Sequence, residues 1–231
     1  MLIITLAGSS NRFFTAGYKI VKYKLPFKNS TVIENILSFV PQNIKLLIIL
    51  NKKFNDLDFL HNILISSNFK SFKIVEINDT AGQLETVFNG LIEAKNFVDN
   101  SDSVTIFNGD TIRKIHNWEN FDGEGSIETF INEGDHWSFV DKIGKVNIVT
   151  EKVRISSYCS TGLYYFKDVN MILDNYVNYQ KIVKEGELYV APFYNYLISQ
   201  NKQIFSFLAD KNNFVFCGTP VEYQESIQYN P

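Results

Sequence analysis

Leu6-Ala7-Gly8-Ser9-Ser10-Asn11-Arg12 follows a short apolar run and consists of residue types suited to an anion. Small residues let backbone amides approach a phosphate closely, and a following guanidinium offsets its charge. The same composition also makes an ordinary turn. The segment is not a P-loop, because no Gly-Lys-Ser/Thr closes it, and it lacks the Gly-x-Gly-x-x-Gly of dinucleotide sites. A second polar cluster, Asn108-Gly109-Asp110, ends another apolar run with a carboxylate. Asp56-Leu57-Asp58 has the Asp-x-Asp form with which many glycosyltransferases hold a metal–nucleotide. It follows Asn55 at a helix start, however, where acidic residues cap amides and favour the helix dipole.

These clusters need a scaffold, and the apolar pattern supplies one. Residues 2–6 form a continuous apolar run, as expected of a parallel strand covered on both faces. Thr31-Val32-Ile33-Glu34 reads as a capping box starting a helix to about Val40. Strands are expected at 45–50, 72–77 and 104–107, with helices at 56–66 and 82–97. The order predicts an α/β fold with right-handed crossovers: three layers, doubly wound, around a mostly parallel mixed sheet. Ligands of such sheets bind beyond the carboxyl ends of the strands, where both polar clusters emerge.

After Asp110 the pattern changes. Strands are expected at 126–131, 137–140, 145–150 and 161–166, then helices at 169–183 and 188–199, with short strands at 203–208 and 214–217 closing the chain. No linker or repeat interrupts the 231 residues, so one domain is expected, with a nucleotide-binding half (1–112) and an acceptor-binding half (113–231).

Composition narrows the partners. With 22 Lys plus Arg against 25 Asp plus Glu, and only three arginines, no basic surface for nucleic acid is expected. Cys159 and Cys217 have neither disulfide nor zinc spacing and read as buried thiols in a reducing compartment. No basic leader or membrane-length apolar run occurs, so a soluble cytoplasmic protein without a membrane partner is expected; homo-oligomerisation is left open.

Further segments join the two clusters: Lys22-Tyr-Lys-Leu-Pro-Phe, Asp79-Thr-Ala-Gly-Gln83, Glu151-Lys152, Ser160-Thr-Gly162, Gly186-Glu187 and Cys217-Gly-Thr-Pro220. In this order and spacing, from Leu6 to Pro220, the chain resembles the nucleotidyltransferases that charge sugar phosphates, and is nearest in size to the short cytidylyltransferases of the phosphocholine type. The resemblance implies that Ala7, Gly8, Ser9, Ser10 and Asn108 contact the nucleotide, and that Arg12 neutralises the departing pyrophosphate. It implies that Lys22 holds the α-phosphate, Gly82 and Gln83 read the base, and Asp110 ligates Mg²⁺. It places Glu151, Lys152, Thr161, Gly162 and Glu187 at the acceptor, and Trp137 lies where relatives line the acceptor pocket. The three histidines match none of these positions.

The sequence departs from the family pattern in two places. Val21 replaces the proline of a Pro-Lys pair. Phe216 stands where many relatives have a second metal-binding aspartate, which leaves one metal ligand or points to Asp210 or Asp135. Arg113 and Lys114 are expected at the surface. The function implied is transfer of a nucleoside monophosphate from an NTP, with compactness leaning toward CTP, to a phosphorylated acceptor. That acceptor is a sugar phosphate, phosphocholine or a phospho-amino acid, and the product a capsule or surface-glycan precursor. Two alternatives remain at this point: a non-catalytic nucleotide or sugar-nucleotide sensor on the same fold, and a glycosyltransferase using Asp56 and Asp58.

Overall fold

The first strand, β1 (Leu2–Leu6), shows why the apolar runs are continuous. Leu2, Ile4 and Leu6 point into one core and Ile3 into another, so both faces of the strand are covered. The structure, a computed structural model, describes all residues except Asn120, Lys184, Glu185, Asn230 and Pro231. In chain order β1 is followed by α1 (Asn11–Thr15), β2 (Pro26–Phe27), β3 (Ser30–Thr31), α2 (Val32–Leu37), β4 (Lys45–Asn51), α3 (Leu57–Ser66), β5 (Ser71–Ile77), α4 (Gln83–Glu93) and β6 (Val104–Asn108). The second half contains β7 (Thr111–Arg113), β8 (Gly125–Ile131), β9 (Ser138–Val140), β10 (Gly144–Lys145), β11 (Val149–Glu151), β12 (Tyr158–Phe166), α5 (Asn170–Ile182), α6 (Val190–Ser199), β13 (Ile204–Leu208), β14 (Phe214–Phe216) and α7 (Pro220–Tyr229).

The central sheet runs β10-β13-β8-β12-β6-β1-β4-β5. It is parallel through β6, β1, β4 and β5, and again between β8 and β13. β12 enters antiparallel between β6 and β8. One face packs against α4, α5 and α6 and the other against α2 and α3, giving the three layers expected. Fully buried Leu and Ile side chains such as Leu46–Leu50 each contribute roughly 1.5–3 kcal/mol. The chain runs outward from β1 through β4 to β5 and then returns to β6 on the other side of β1, so the winding direction reverses between β1 and β6 and a crevice opens beyond their carboxyl ends.

Local signals held where they were strong. The capping box at α2 is complete: Glu34 N donates to Thr31 Oγ1, and Thr31 N donates to Glu34 Oε2 at 2.9 Å. α2 and α4 end earlier than expected, at Leu37 and Glu93. The run at 145–150 is not one strand but β10 and β11, which pair with different partners. The chain closes on α7 rather than on strands; Thr219 and Glu222 form a second capping box at its start. Both cysteines are buried and free, as expected. Among the described residues no helix is long and apolar enough to cross a membrane.

Candidate active site

The loop after β1 and the turn after β6 meet through a lysine. Ser10 adopts a left-handed conformation (φ 55°) at the start of α1, and its Oγ accepts a hydrogen bond from Lys22 N at 3.2 Å. This brings the Lys22 side chain back to the sheet, where Nζ donates to Asp110 Oδ2 at 2.5 Å. Asp110 is fixed at the end of the β7–β14 ladder, which begins at the next residue with Thr111 opposite Phe216, and Cys217 N donates to the Asp110 carbonyl at 2.8 Å. A Cβ on Gly8 would meet only open space, so the backbone of this loop is bare toward the crevice.

Across the crevice, β12 runs antiparallel to β6 and carries Thr161 and Gly162 past the end of β6. The ladder between β12 and β8 shifts register here, and Gly162 has φ +91°. A side chain at Gly162 would collide with the Asn108 amide, so this approach requires glycine. Gly82 is required for a different reason: a Cβ there would lie 2.5 Å from the Leu188 carbonyl oxygen. The segment carrying Glu187 and Tyr189 is thereby bound to the start of α4, through Leu188 N to Ala81 O at 2.8 Å and Leu84 N to Leu188 O at 2.9 Å.

Together these elements enclose a cavity of about 770 Å³, within the usual range for small-molecule sites. Ala7, Gly8, Ser9, Arg12, Lys22, Gly82, Gln83, Asn108, Asp110, Trp137, Glu151, Lys152, Thr161, Gly162 and Glu187 all line it. Ser10 does not; it is buried behind the loop and acts on Lys22. Burial raises the Glu151 carboxyl above the ordinary carboxylate value, although Ser138 Oγ donates to it. Lys152, at φ 56°, donates to the Tyr189 hydroxyl, which holds the ammonium above its ordinary pKa. The cavity thus has a cationic, glycine-lined end and an end of mixed charge walled by Trp137, Tyr164 and Phe216.

One solved structure decides the family. The nucleoside-diphosphate-sugar pyrophosphorylase from Vibrio cholerae RC9 is 35% identical, with 99% of this chain and 100% of that one covered and a TM-score of 0.89. The chain belongs to the nucleotidyltransferases. The inositol-1-phosphate CTP transferase from T. maritima shares the fold at 9% identity, with 98% of this chain and 94% of that one covered and a TM-score of 0.75. No protein-family model and no curated protein sequence matches the chain.

The nucleotidyltransferase fold implies a divalent metal, and the donor set at Asp110 fits Mg²⁺. That ion takes one or two protein carboxylates and completes its shell with phosphate and water. A Cβ on Gly218 would stand 3.3 Å from Asp110 Oδ2 and 3.4 Å from Glu222 Oε2, so the glycine keeps open a space beside two carboxylates. Neither residue expected as a second ligand is there. Asp210 caps a short helical turn through Asn212 N, and Asp135 pairs with Arg154.

Other expectations are corrected. Arg113 is not at the surface of the nucleotidyltransferase: it is 1% exposed and forks onto Glu128 at 2.6 to 3.1 Å. It also donates to the Ile115 and Asn117 carbonyls, and Glu128 Oε1 accepts from Thr161 Oγ1 at 2.8 Å. Asp56 stands at the N-cap of α3 as expected, but its side chain makes no capping bond; the carboxylate is buried under Tyr23 Oη at 2.5 Å and Lys24 Nζ at 2.8 Å. Neither Asp56 nor Asp58 lines the cavity, which removes the glycosyltransferase reading. His136 does line it, 3.7 Å from Glu222. Lys53, Asp79 and Glu222 are further lining residues that sequence reasoning passed over as site residues. The Thr-x-x-Glu spacing at 219–222 was the signal available for the last.

Proposed function

We propose that this nucleotidyltransferase moves a nucleoside monophosphate from an NTP, with CTP as the donor, to a sugar phosphate or a similarly phosphorylated small metabolite. An oxygen of the acceptor phosphate attacks the α-phosphorus, the bond from that phosphorus to the bridging oxygen breaks, and pyrophosphate leaves with the electron pair. A phosphate monoester is already largely anionic at neutral pH, so the attack needs no protein base. It needs charge compensation and alignment.

The observation that carries this reading is the Lys22–Asp110 pair, at 2.5 Å, set in a cavity lined by both Arg12 and the Glu151–Lys152 pair. Residues 1–112 would hold the nucleotide: Ala7, Gly8 and Ser9 wrap the triphosphate, Arg12 faces its departing end, and Lys22 turns from Asp110 to the α-phosphate. Gln83, Gly82 and Asn108 face the nucleoside. Residues 113–231 would hold the acceptor, with Lys152 on its phosphate, Glu151 and Glu187 on its polar groups, Trp137 against its apolar face, and the 161–162 turn as the floor. Asp110 would hold Mg²⁺, which when bound offsets charge on the triphosphate. A cytoplasmic enzyme supplying precursors of a capsule or surface glycan fits this chemistry.

Pyrophosphate release measured for each NTP against sugar 1-phosphates, phosphocholine and phospho-amino acids tests the proposal. It is supported by release that requires one NTP, Mg²⁺ and one acceptor class together. Phe216, in place of an acid, favours one other reading, a nucleotide sensor; tight NTP binding with no pyrophosphate from any acceptor would select it.

A further inference from the structure

The nucleoside end of the cavity contains a carboxylate that phosphate chemistry does not explain. Asp79 is a lining residue, and its side chain is 74% exposed. It is nevertheless held in place. Asn51, only 2% exposed, donates from one Nδ2 to Asp79 Oδ1 at 2.7 Å and to the Ala7 carbonyl at 3.3 Å. One buried amide therefore ties the carboxylate to the end of β1. Lys53 Nζ also donates to Oδ1, at 2.6 Å. Both contacts fall on the same oxygen, and among the described residues nothing donates to Oδ2, which can accept from a ligand.

Asp79 lies on the same cavity-lining segment as Gly82 and Gln83, just ahead of α4, which in the nucleotide-binding reading faces the noncharged nucleoside rather than the triphosphate. Gln83 adds a second acceptor. Its Nε2 donates to Thr5 Oγ1 at 3.0 Å and Asn108 Oδ1 at 2.8 Å, which orients the amide and leaves its carbonyl oxygen for a ligand. Two acceptors call for a donor on the ligand. Among pyrimidines only the exocyclic amino group of cytosine offers two N–H donors at one position, one for each acceptor; uracil presents a carbonyl oxygen at that position and a single N3–H beside it.

Resting on the nucleotide-binding reading above, we propose that Asp79, positioned by Asn51 and Lys53, reads the amino group of the base and sets the choice of CTP over UTP. A site built to accept from an amino group discriminates strongly against an analogue lacking it. The loss of one charge-assisted hydrogen bond corresponds to roughly tenfold to a hundredfold in affinity.

Calorimetric titration of the full chain with CTP, UTP and dCTP, each with Mg²⁺, tests this for wild type and Asp79→Ala. The wild type should bind CTP at least about tenfold more tightly than UTP. In Asp79→Ala the two should fall within about threefold, through weakened CTP and unchanged UTP. A CTP/UTP ratio that survives the substitution overturns the proposal, as does a wild type that favours UTP. A change confined to the CTP/dCTP ratio also overturns it, because the carboxylate then reads the ribose. Failure of wild type to bind any of the three would instead reject the nucleotide-binding reading.

Discussion

Replacing Arg113 with methionine should be far more damaging than its place after a loop suggests. Arg113 and Glu128 are each 1% exposed, and the guanidinium makes three hydrogen bonds to the Glu128 carboxylate. In Arg113→Met, Glu128 would remain buried with Thr161 Oγ1 as its one side-chain donor among the described residues. Breaking one partner of a buried ion pair costs about 3–5 kcal/mol, and the two abandoned carbonyls of Ile115 and Asn117 add about 1 kcal/mol each. Against a total stability of about 5–15 kcal/mol, that is a large fraction. The double variant Arg113→Met/Glu128→Met removes the stranded charge and should recover at least about 2 kcal/mol over the single one. Urea denaturation followed by circular dichroism measures both. A single variant within about 1 kcal/mol of wild type, or a double no better than the single, would refute the reasoning.

Three other changes probe the site. Asp110→Asn should lower turnover at least about a hundredfold by removing the charge that pairs with Lys22 and, in the proposed mechanism, would hold Mg²⁺. Because that pair is partly exposed, stability should shift by no more than about 1 kcal/mol, read by steady-state kinetics and thermal unfolding. Gly162→Ala should weaken the acceptor end, since the new methyl needs positive φ and meets the Asn108 amide; strain of about 1–3 kcal/mol is expected, with a raised KM for acceptor. Glu151 has its carboxyl pKa raised by burial, so the folded state binds its proton more tightly than the unfolded chain. That contribution to stability is complete below the ordinary carboxylate value and is lost as pH rises through the raised one. Glu151→Gln should therefore flatten this decline in a pH series of melting curves; a variant curve parallel to wild type would contradict the assignment.

What the sequence disclosed and what it hid separate by distance along the chain. The runs behind β1, β4 and β6 are legible because strands covered on both faces must be apolar throughout. The capping box at Thr31 is legible because its two partners are three residues apart. α1 spans five residues, too few to show a helical period. The lining residues were nameable from their segments, but their partners were not. Lys22 meets Asp110 across 88 positions, and Asp56 is claimed by Tyr23 from 33 positions away. Arg113 reads as a surface residue until β8 brings Glu128 beneath it. In the sequence Asp79 is one polar residue of the Asp79–Gln83 segment, and only the buried Asn51 amide shows that it is held at the cavity wall.

The most direct test is a crystal structure of the chain with Mg²⁺ and a non-hydrolysable CTP analogue. The account expects one triphosphate in the cavity, Arg12 near its terminal phosphates, and Lys22 Nζ moved from Asp110 Oδ2 onto an α-phosphate oxygen. A triphosphate bound elsewhere, or an intact Lys22–Asp110 pair beside a bound nucleotide, would contradict it.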